Sequence, residues 1–286
     1  MIKRVIKMPS TFSLIKVKDY VMNKTILAAC ILSVCANSFA GTMGEPVAEL
    51  PYFAKIGAGY AWSNQADVRP NSPSWDPAIQ GYNADLGQST FYFLEMGKTI
   101  HPFVDVSLSY INHDEFDYQK YQTTPTPVPL TPGFTGNSRT RFFDVNNQSI
   151  LFNINLHAPQ SYTALMGFEI SPFIEGGIGY AHNEVKNFHT VGLVFPPGGG
   201  STTSIGKDTH QSSFAAQGSA GINWHPENTR FSMDIGYRYY YGGKFHAPAT
   251  VLSNTASNPG QFVTATAAWD GKVRANEAYI ALKFVS

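Results

Sequence analysis

The chain has 286 residues, with 20 Lys+Arg against 20 Asp+Glu and a hydrophobic fraction of 43%. The balance conceals an asymmetry: residues 1–40 carry six of the basic residues and one of the acidic ones, leaving 14 basic and 19 acidic in 41–286, a formal charge of minus five. That argues against a nucleic-acid partner, which calls for a basic face, and no apolar stretch after residue 40 approaches the ~20 residues of a membrane helix.

In chain order, Met22-Asn23-Lys24 opens a short basic segment, Thr25 to Val34 is almost wholly apolar, and Ser38 and Ala40 supply small residues at minus three and minus one. Residues 1–40 therefore read as a secretory signal peptide cleaved after Ala40, with Met22 the expected true start. Leu27-Ala28-Ala29-Cys30 has the form of a lipobox, but Lys24 leaves almost no hydrophobic region ahead of it. Both cysteines, Cys30 and Cys35, fall inside the signal, so the expected mature chain has no disulfide or thiolate chemistry.

Eight stretches of period-two alternation follow, and period two places one residue set on each face of a strand. Ala54, Ile56, Ala58, Tyr60 and Trp62 make the first apolar face, and Tyr92, Leu94 and Met96 the second. The third sets Val104, Val106, Leu108 and Tyr110 against Asp105, Ser107 and Ser109; the fourth sets Ile150, Phe152, Ile154 and Leu156 against Ser149, Asn153 and Asn155. Ile174, Ile178 and Tyr180 follow, then Phe214, Ala216, Ala220, Ile222 and Trp224, both strands rich in glycine. The seventh runs through Phe231, Met233, Ile235, Tyr237, Tyr239 and Tyr241, and the eighth through Ala278, Ile280, Leu282 and Phe284. Each is about nine residues or more, the length a tilted strand needs to cross the hydrocarbon layer.

The connections alternate in length. Gly97 to Pro102 and His225 to Thr229 are short; Asn64 to Gly87, Asn112 to Asn147, His182 to Gln211 and Gly243 to Gly271 are long and rich in Gly, Pro, Ser and Thr. His157 to Ser171 is longer than a turn needs, with room for a turn of helix or extended strand ends. Residues 41–286 are thus expected to form one all-β domain: an eight-stranded antiparallel up-and-down transmembrane β-barrel with four long extracellular loops and short periplasmic turns. Pro51, Pro102, Pro172 and Pro226 fall at strand starts or in a turn, where a missing N–H is tolerated. Tyr60, Trp62, Tyr110, Tyr180, Tyr239 and Tyr241 at one end, with Tyr52, Trp224 and Phe284 at the other, form two aromatic girdles. A soluble sandwich is disfavoured because the second faces mix glycines, Phe91, Phe93 and Phe173 with isolated charges, which suits a narrow lumen filled by side chains.

Within this pattern PFIEGGIGYA (Pro172 to Ala181), GSAGINW (Gly218 to Trp224), DIGYRYYYGG (Asp234 to Gly243) and NEAYIALKF (Asn276 to Phe284) resemble the strand phrases of the small eight-stranded outer-membrane proteins of Gram-negative bacteria, the OmpA, OmpX and OmpW-like barrels. The resemblance covers residues 50 to 286 and implies location in the outer membrane, contact with its lipid, and insertion by the barrel-assembly machinery. Leu282 and Phe284 match the family's terminal assembly signal, while Tyr279 stands where a glycine is usual and Val285-Ser286 extend past the aromatic. The superfamily hosts anchors, adhesins, pores and enzymes, so the architecture does not fix a role.

The polar set most open to chemistry faces the lumen: Lys55, Glu95, Asp105, Glu175, Asp234, Arg238, Glu277 and Lys283. Unpaired charges in a narrow interior are costly, so a plugging network is expected, with Arg238 as hub because its planar fork can serve two carboxylates. No catalytic, cofactor-binding or metal-ligating residues are assigned. His101, His113, His157, His182, His189, His210, His225 and His246 are scattered through turns and loops with no facing serine or metal spacing, and Gly198-Gly199-Gly200 lacks the lysine of a phosphate loop. Asp114, Glu115 and Asp117 read as a solvated acidic group. Thr123 to Gly133 is proline-rich and expected to be extended, and Phe116, Phe134, Val191, Leu193, Val194 and Phe195 are candidates for a sticky rim that meets a host or surface ligand. The expected function is therefore structural or surface interaction through the loops, the alternatives being a passive channel for small apolar molecules and a lipid-modifying barrel enzyme.

Overall fold

A computed structural model describes residues 50–286 apart from 64–65, 71–84, 124–137, 159–162, 166–167, 195–198, 249, 255–261 and 267–268. Residues 1–49, with the expected signal peptide and both cysteines, lie outside that range. Eight long strands carry the fold: β1 (Tyr52–Ser63), β2 (Gln88–His101), β3 (Val104–Thr123), β4 (Ser138–His157), β5 (Phe168–Val194), β6 (Thr209–Pro226), β7 (Phe231–Ala247) and β8 (Trp269–Val285). Each pairs antiparallel with its neighbour in sequence, and β1 closes on β8 from Phe53↔Val285 to Ser63↔Ala275. The ring is closed, so no sheet edge is left within the bilayer, where an unpaired backbone group would find no water.

Side chains sort by face as the alternation requires. Ile56, Leu108, Ile178 and Ile280 stand outward at 63, 57, 60 and 58% exposure, whereas the intervening Lys55, Glu95, Ser109 and Glu277 are buried inside. An apolar exterior around a polar interior is a soluble protein inverted, and it is the arrangement lipid selects. Small residues keep the lumen and wall tight: a Cβ on Gly179 would overlap the Ile150 carbonyl oxygen, and one on Gly57 would overlap the Phe93 ring.

The strands are longer than the sequence reading expected. Large parts of the supposed loops 112–147, 182–211 and 243–271 are strand, and β5 alone runs for 27 residues. In β8 the outward series Phe284, Leu282, Ile280, Ala278 continues as Asn276, Arg274 and Lys272, while inward Tyr279 and Glu277 give way to Ala275, Val273 and Trp269. Above the membrane the apolar face turns inward. The result is a collar, continuous with the barrel, whose dry interior holds Phe116, Tyr118, Phe143, Phe188, Phe245 and Trp269.

Smaller features complete the wall. Gly199–Gly206 pairs with the top of β5, and Thr250–Asn254 links it to Phe262–Thr266 as a sheet extension. Gly199 and Gly200 thus belong to a strand. Arg69–Pro70 pairs with the start of β8. Thr163–Leu165 pairs with Phe168–Ile170, so the long fourth-to-fifth link carries extended strand ends. Pro172 lies four residues inside β5 and not at its start; its carbonyl accepts the Ala158 N–H where the β4 ladder ends, so the absent N–H breaks no pairing.

Candidate functional site

All eight lumen charges expected from the sequence turn into the barrel, where they form three stacked groups. At the periplasmic end Asp105 meets Lys283 at 2.9 Å and accepts from Thr99 at 2.8 Å, with His157 at 3.4 Å. In the next group Lys55 lies 3.0 Å from Asp234, 3.4 Å from Glu95 and 3.8 Å from Glu175. Ser107 donates to Glu95 at 2.8 Å, and the Gln217 amide donates to Glu175 and Asn153. One ammonium thus faces three carboxylates, with amides and hydroxyls using part of their remaining acceptor capacity.

The third group corrects the expected hub. Arg238 pairs with one carboxylate, Glu277, at 3.3 Å, and its guanidinium lies 4.8 Å from the ring centres of both Phe93 and Tyr279. Aromatic faces occupy the positions a second carboxylate would need, and Lys55 is the hub. His113, read as a loop residue, is buried here, with Nε2 2.7 Å from Glu277 and Nδ1 3.1 Å from the Asn147 side-chain Oδ1. Asn147 also accepts from the Tyr240 hydroxyl and donates to Asn183 at 2.6 Å; the Asn183 amide in turn holds the carbonyls of Gly242 and Lys244.

Above Asn147 and Asn183 the lumen is aromatic. Tyr118 stacks on Phe143 at 4.3 Å, Phe143 meets Phe188 and Phe245, and the Arg141 guanidinium covers the Trp269 ring at 3.3 Å. Phe116, proposed from sequence as part of a sticky rim, is fully buried in this core. Phe134 and Phe195 lie outside the described residues, as do the side chains of Leu193 and Val194, while Val191 is half-buried. Most of Thr123 to Gly133 is likewise outside the described range.

The collar's outer wall is polar and unevenly charged. Asp114, Glu115, Asp117 and Asp144 lie on β3 and β4, and Lys244, Lys272 and Arg274 on β7 and β8. Among the described residues no group of His, Cys, Asp or Glu gathers in metal-binding geometry. A recess of about 800 Å³ opens between the tops of β3, β4 and β5, lined by Asp117, Phe142, Asp144 and His189.

One pairing overturns the reading that no histidine faces a serine. On the outer wall His182 of β5 stands opposite Ser212 of β6, Nδ1 to Oγ 3.3 Å, and His210 stands opposite Glu184, Nδ1 to Oε1 3.6 Å. The two imidazoles stack at 5.5 Å and 15°. His182, Glu184 and His210 lie within, and Ser212 directly after, what the sequence presents as one long loop; strand pairing brings them together.

The closed ring and the apolar outward band define a transmembrane β-barrel of the outer-membrane type. No family model matches the chain, and no curated protein does. Among solved structures it is similar to Neisserial surface protein A, with 11% identity, TM-score 0.37 and coverage of 82% of this chain and 96% of that one. It is also similar to the outer membrane protein OprG of Pseudomonas aeruginosa (11% identity, TM-score 0.43, 82% and 97% covered) and to Ail, the attachment invasion locus protein of Yersinia pestis (14% identity, TM-score 0.33, 80% and 98% covered). Function has to be read from this chain's own residues.

Proposed function

We propose that the chain is a surface-interaction protein of the bacterial outer membrane, in which the membrane band anchors and the collar recognises. The observation that carries this reading is the filled interior: Lys55, Arg238, Glu277, Tyr240, Phe143 and Trp269 are each at most 2% exposed, from the periplasmic half of the lumen up into the collar. A barrel packed along its length presents its outer wall and strand tips to partners, and the polar residues that clothe those tips are free of the lipid. Leu282 and Phe284 stand outward on β8, with Phe284 in ring contact with Phe231, where the insertion machinery meets the terminal strand.

Two measurements test it with purified full chain in planar bilayers and on cells. The filled lumen is expected to give no steady conductance, and a large steady conductance contradicts the anchor reading. Neutralising the acidic flank as D114N/E115Q/D117N/D144N is expected to change adhesion to host cells or matrix while the folded, heat-modifiable band is retained. Unchanged adhesion across both flanks and the loop tips leaves the protein a purely structural barrel.

A further inference from the structure

We infer that Ser212, His182, His210 and Glu184 form a hydrolytic site on the outer wall of the barrel, acting on carboxylic esters of outer-leaflet lipids. The inference goes beyond the surface-interaction reading and does not depend on it.

Position is the first argument. The outward face of β6 runs Trp224, Ile222, Ala220, Gly218, Ala216, Phe214 and then Ser212; that of β5 runs Ile174, Gly176, Ile178, Tyr180 and then His182. Phe214 and Tyr180 are 57% and 60% exposed at the upper limit of the apolar band. Ser212 and His182 are thus the first polar residues above it, at the depth where acyl chains join their headgroups and where a lipid ester bond lies. A water-soluble ester would require no such placement.

Chemistry is the second. A serine is a weak nucleophile until a base lies within hydrogen-bond reach, with a third group orienting that base. Ser212 Oγ lies 3.3 Å from His182 Nδ1, a loose contact of the kind catalytic pairs show before substrate binds. Ladder pairing fixes the partners: His182↔Ser212 and Glu184↔His210 are successive outward pairs of one antiparallel register, unbroken from Phe168↔Pro226 to Val185↔Thr209. Rigid strands, not loops, hold the set. Glu184 Oε1 lies 3.6 Å from His210 Nδ1, and His210 stacks flat on His182 and so sets its ring plane. His210 and Glu184 are positioning residues; Ser212 and His182 touch the reacting atoms. Glu184 is itself anchored by Lys186 at 2.8 Å.

The reaction balances with water as the only co-reactant. Ser212 Oγ attacks the acyl carbon as its proton passes to His182 Nδ1; the ester C–O bond breaks, and the imidazolium returns the proton to the departing lipid alcohol. Water, deprotonated by the same imidazole, then attacks the acyl-serine and releases the fatty acid, restoring the Ser212 hydroxyl.

The test uses the folded full chain in micelles and in phosphatidylcholine vesicles, with fatty-acid release and labelling by a fluorophosphonate probe as readouts. Wild type is expected to release fatty acid and to take the label on Ser212. S212A is expected to lose both, and H182Q to lose release by about a hundredfold or more. H210Q is expected to lower kcat less and to shift the pH profile, which loss of a merely structural contact does not do. All variants must keep the heat-modifiable folded band; S212T, which retains the hydroxyl, provides a second check should S212A fold poorly. A folded wild type that neither labels nor releases fatty acid overturns the inference, as does undiminished release by S212A. Turnover of soluble p-nitrophenyl butyrate without turnover of the vesicle lipid overturns the lipid assignment.

Discussion

In the membrane band of β8, Ile280 and Leu282 stand outward while Glu277 and Tyr279 turn in; a few residues up the same strand, Arg274 and Lys272 stand outward while Ala275 and Val273 turn in. β4 makes the same exchange, from outward Phe152 and Ile150 with inward Asn153 to outward Asn146 and Asp144 with inward Val145 and Phe143. One continuous set of strands therefore builds two kinds of barrel, and the surrounding solvent decides which. In the band, apolar side chains gain nothing by leaving lipid, so specificity rests on the backbone ladder and on the charge groups around Lys55 and Arg238. In the collar, burial of aromatic surface from water is available and supplies the stabilisation.

The largest test removes closure itself. Deleting Leu282 to Ser286 takes away the pairings of Leu282 with Ile56 and Met233 and of Phe284 with Ala54 and Phe231, together with the terminal aromatic. Complete loss of the heat-modifiable folded band and of membrane insertion is expected; normal migration of the truncated chain contradicts it. Next, K55M leaves Glu95, Glu175 and Asp234 buried without their shared cation and is expected to cost about 3–5 kcal/mol, read as a shifted urea midpoint of the whole barrel. F143A removes the ring that Tyr118, Phe188 and Phe245 meet and is expected to cost about 3–5 kcal/mol. Its effect should stay in the collar, with faster amide exchange above Asn147 and unchanged protection below; uniform loss of protection would mean the two halves fold as one unit.

Charge placement separates the halves more sharply. I280K puts a charge into lipid and is expected to destabilise by about 2–4 kcal/mol, whereas N276K, one outward step beyond Ala278, should fall within about 0.5 kcal/mol of wild type. Equal effects at the two positions would erase the boundary between band and collar. G179A is expected to lose about 1–3 kcal/mol, because the added methyl meets the Ile150 carbonyl across the β4–β5 ladder.

What was legible in the sequence follows from the same contrast. The band could be read because Ala278 to Phe284 or Ile150 to Leu156 keeps an apolar outward face in phase over its whole length. The inward charges followed by parity. The collar could not be read, because its apolar face is the other one: in β4 and β8 the apolar residues change parity, from outward Ile150 and Ala278 to inward Val145 and Val273. In β3 and β7 the inward phase is reset by ladder irregularities between His113 and Glu115 and between Tyr241 and Gly243, and in β5 by one between Lys186 and His189. After these points Phe116, Tyr118, Phe245 and Ala247 occupy inward positions of opposite parity to Ile111 and Tyr240. There the apolar parity continues, from Tyr110 to Phe116 and from Tyr241 to Phe245, but Asn112 and Asp114 in one strand and Gly243 in the other interrupt the run, and the sequence presents a loop. That is how His113 was missed as a partner of Glu277, and how Ser212 and His182 came to look thirty residues apart rather than 3.3 Å. The signal that could have found them was present: once β5 and β6 are extended upward, His182 and Ser212 are the next outward residues after Tyr180 and Phe214. The choice of Lys55 over Arg238 as hub was not legible, since it depends on which rings flank each cation.

The exchange of faces along β8 is tested most directly by single cysteines at Ala278, Asn276, Ala275, Arg274, Val273 and Lys272, placed one at a time in an otherwise cysteine-free chain and treated with a water-soluble maleimide on intact cells. Labelling is expected at positions 276, 274 and 272, and protection at 278, 275 and 273. Labelling at 275 and 273, or protection at 274 and 272, would contradict a collar that is dry inside and wet outside.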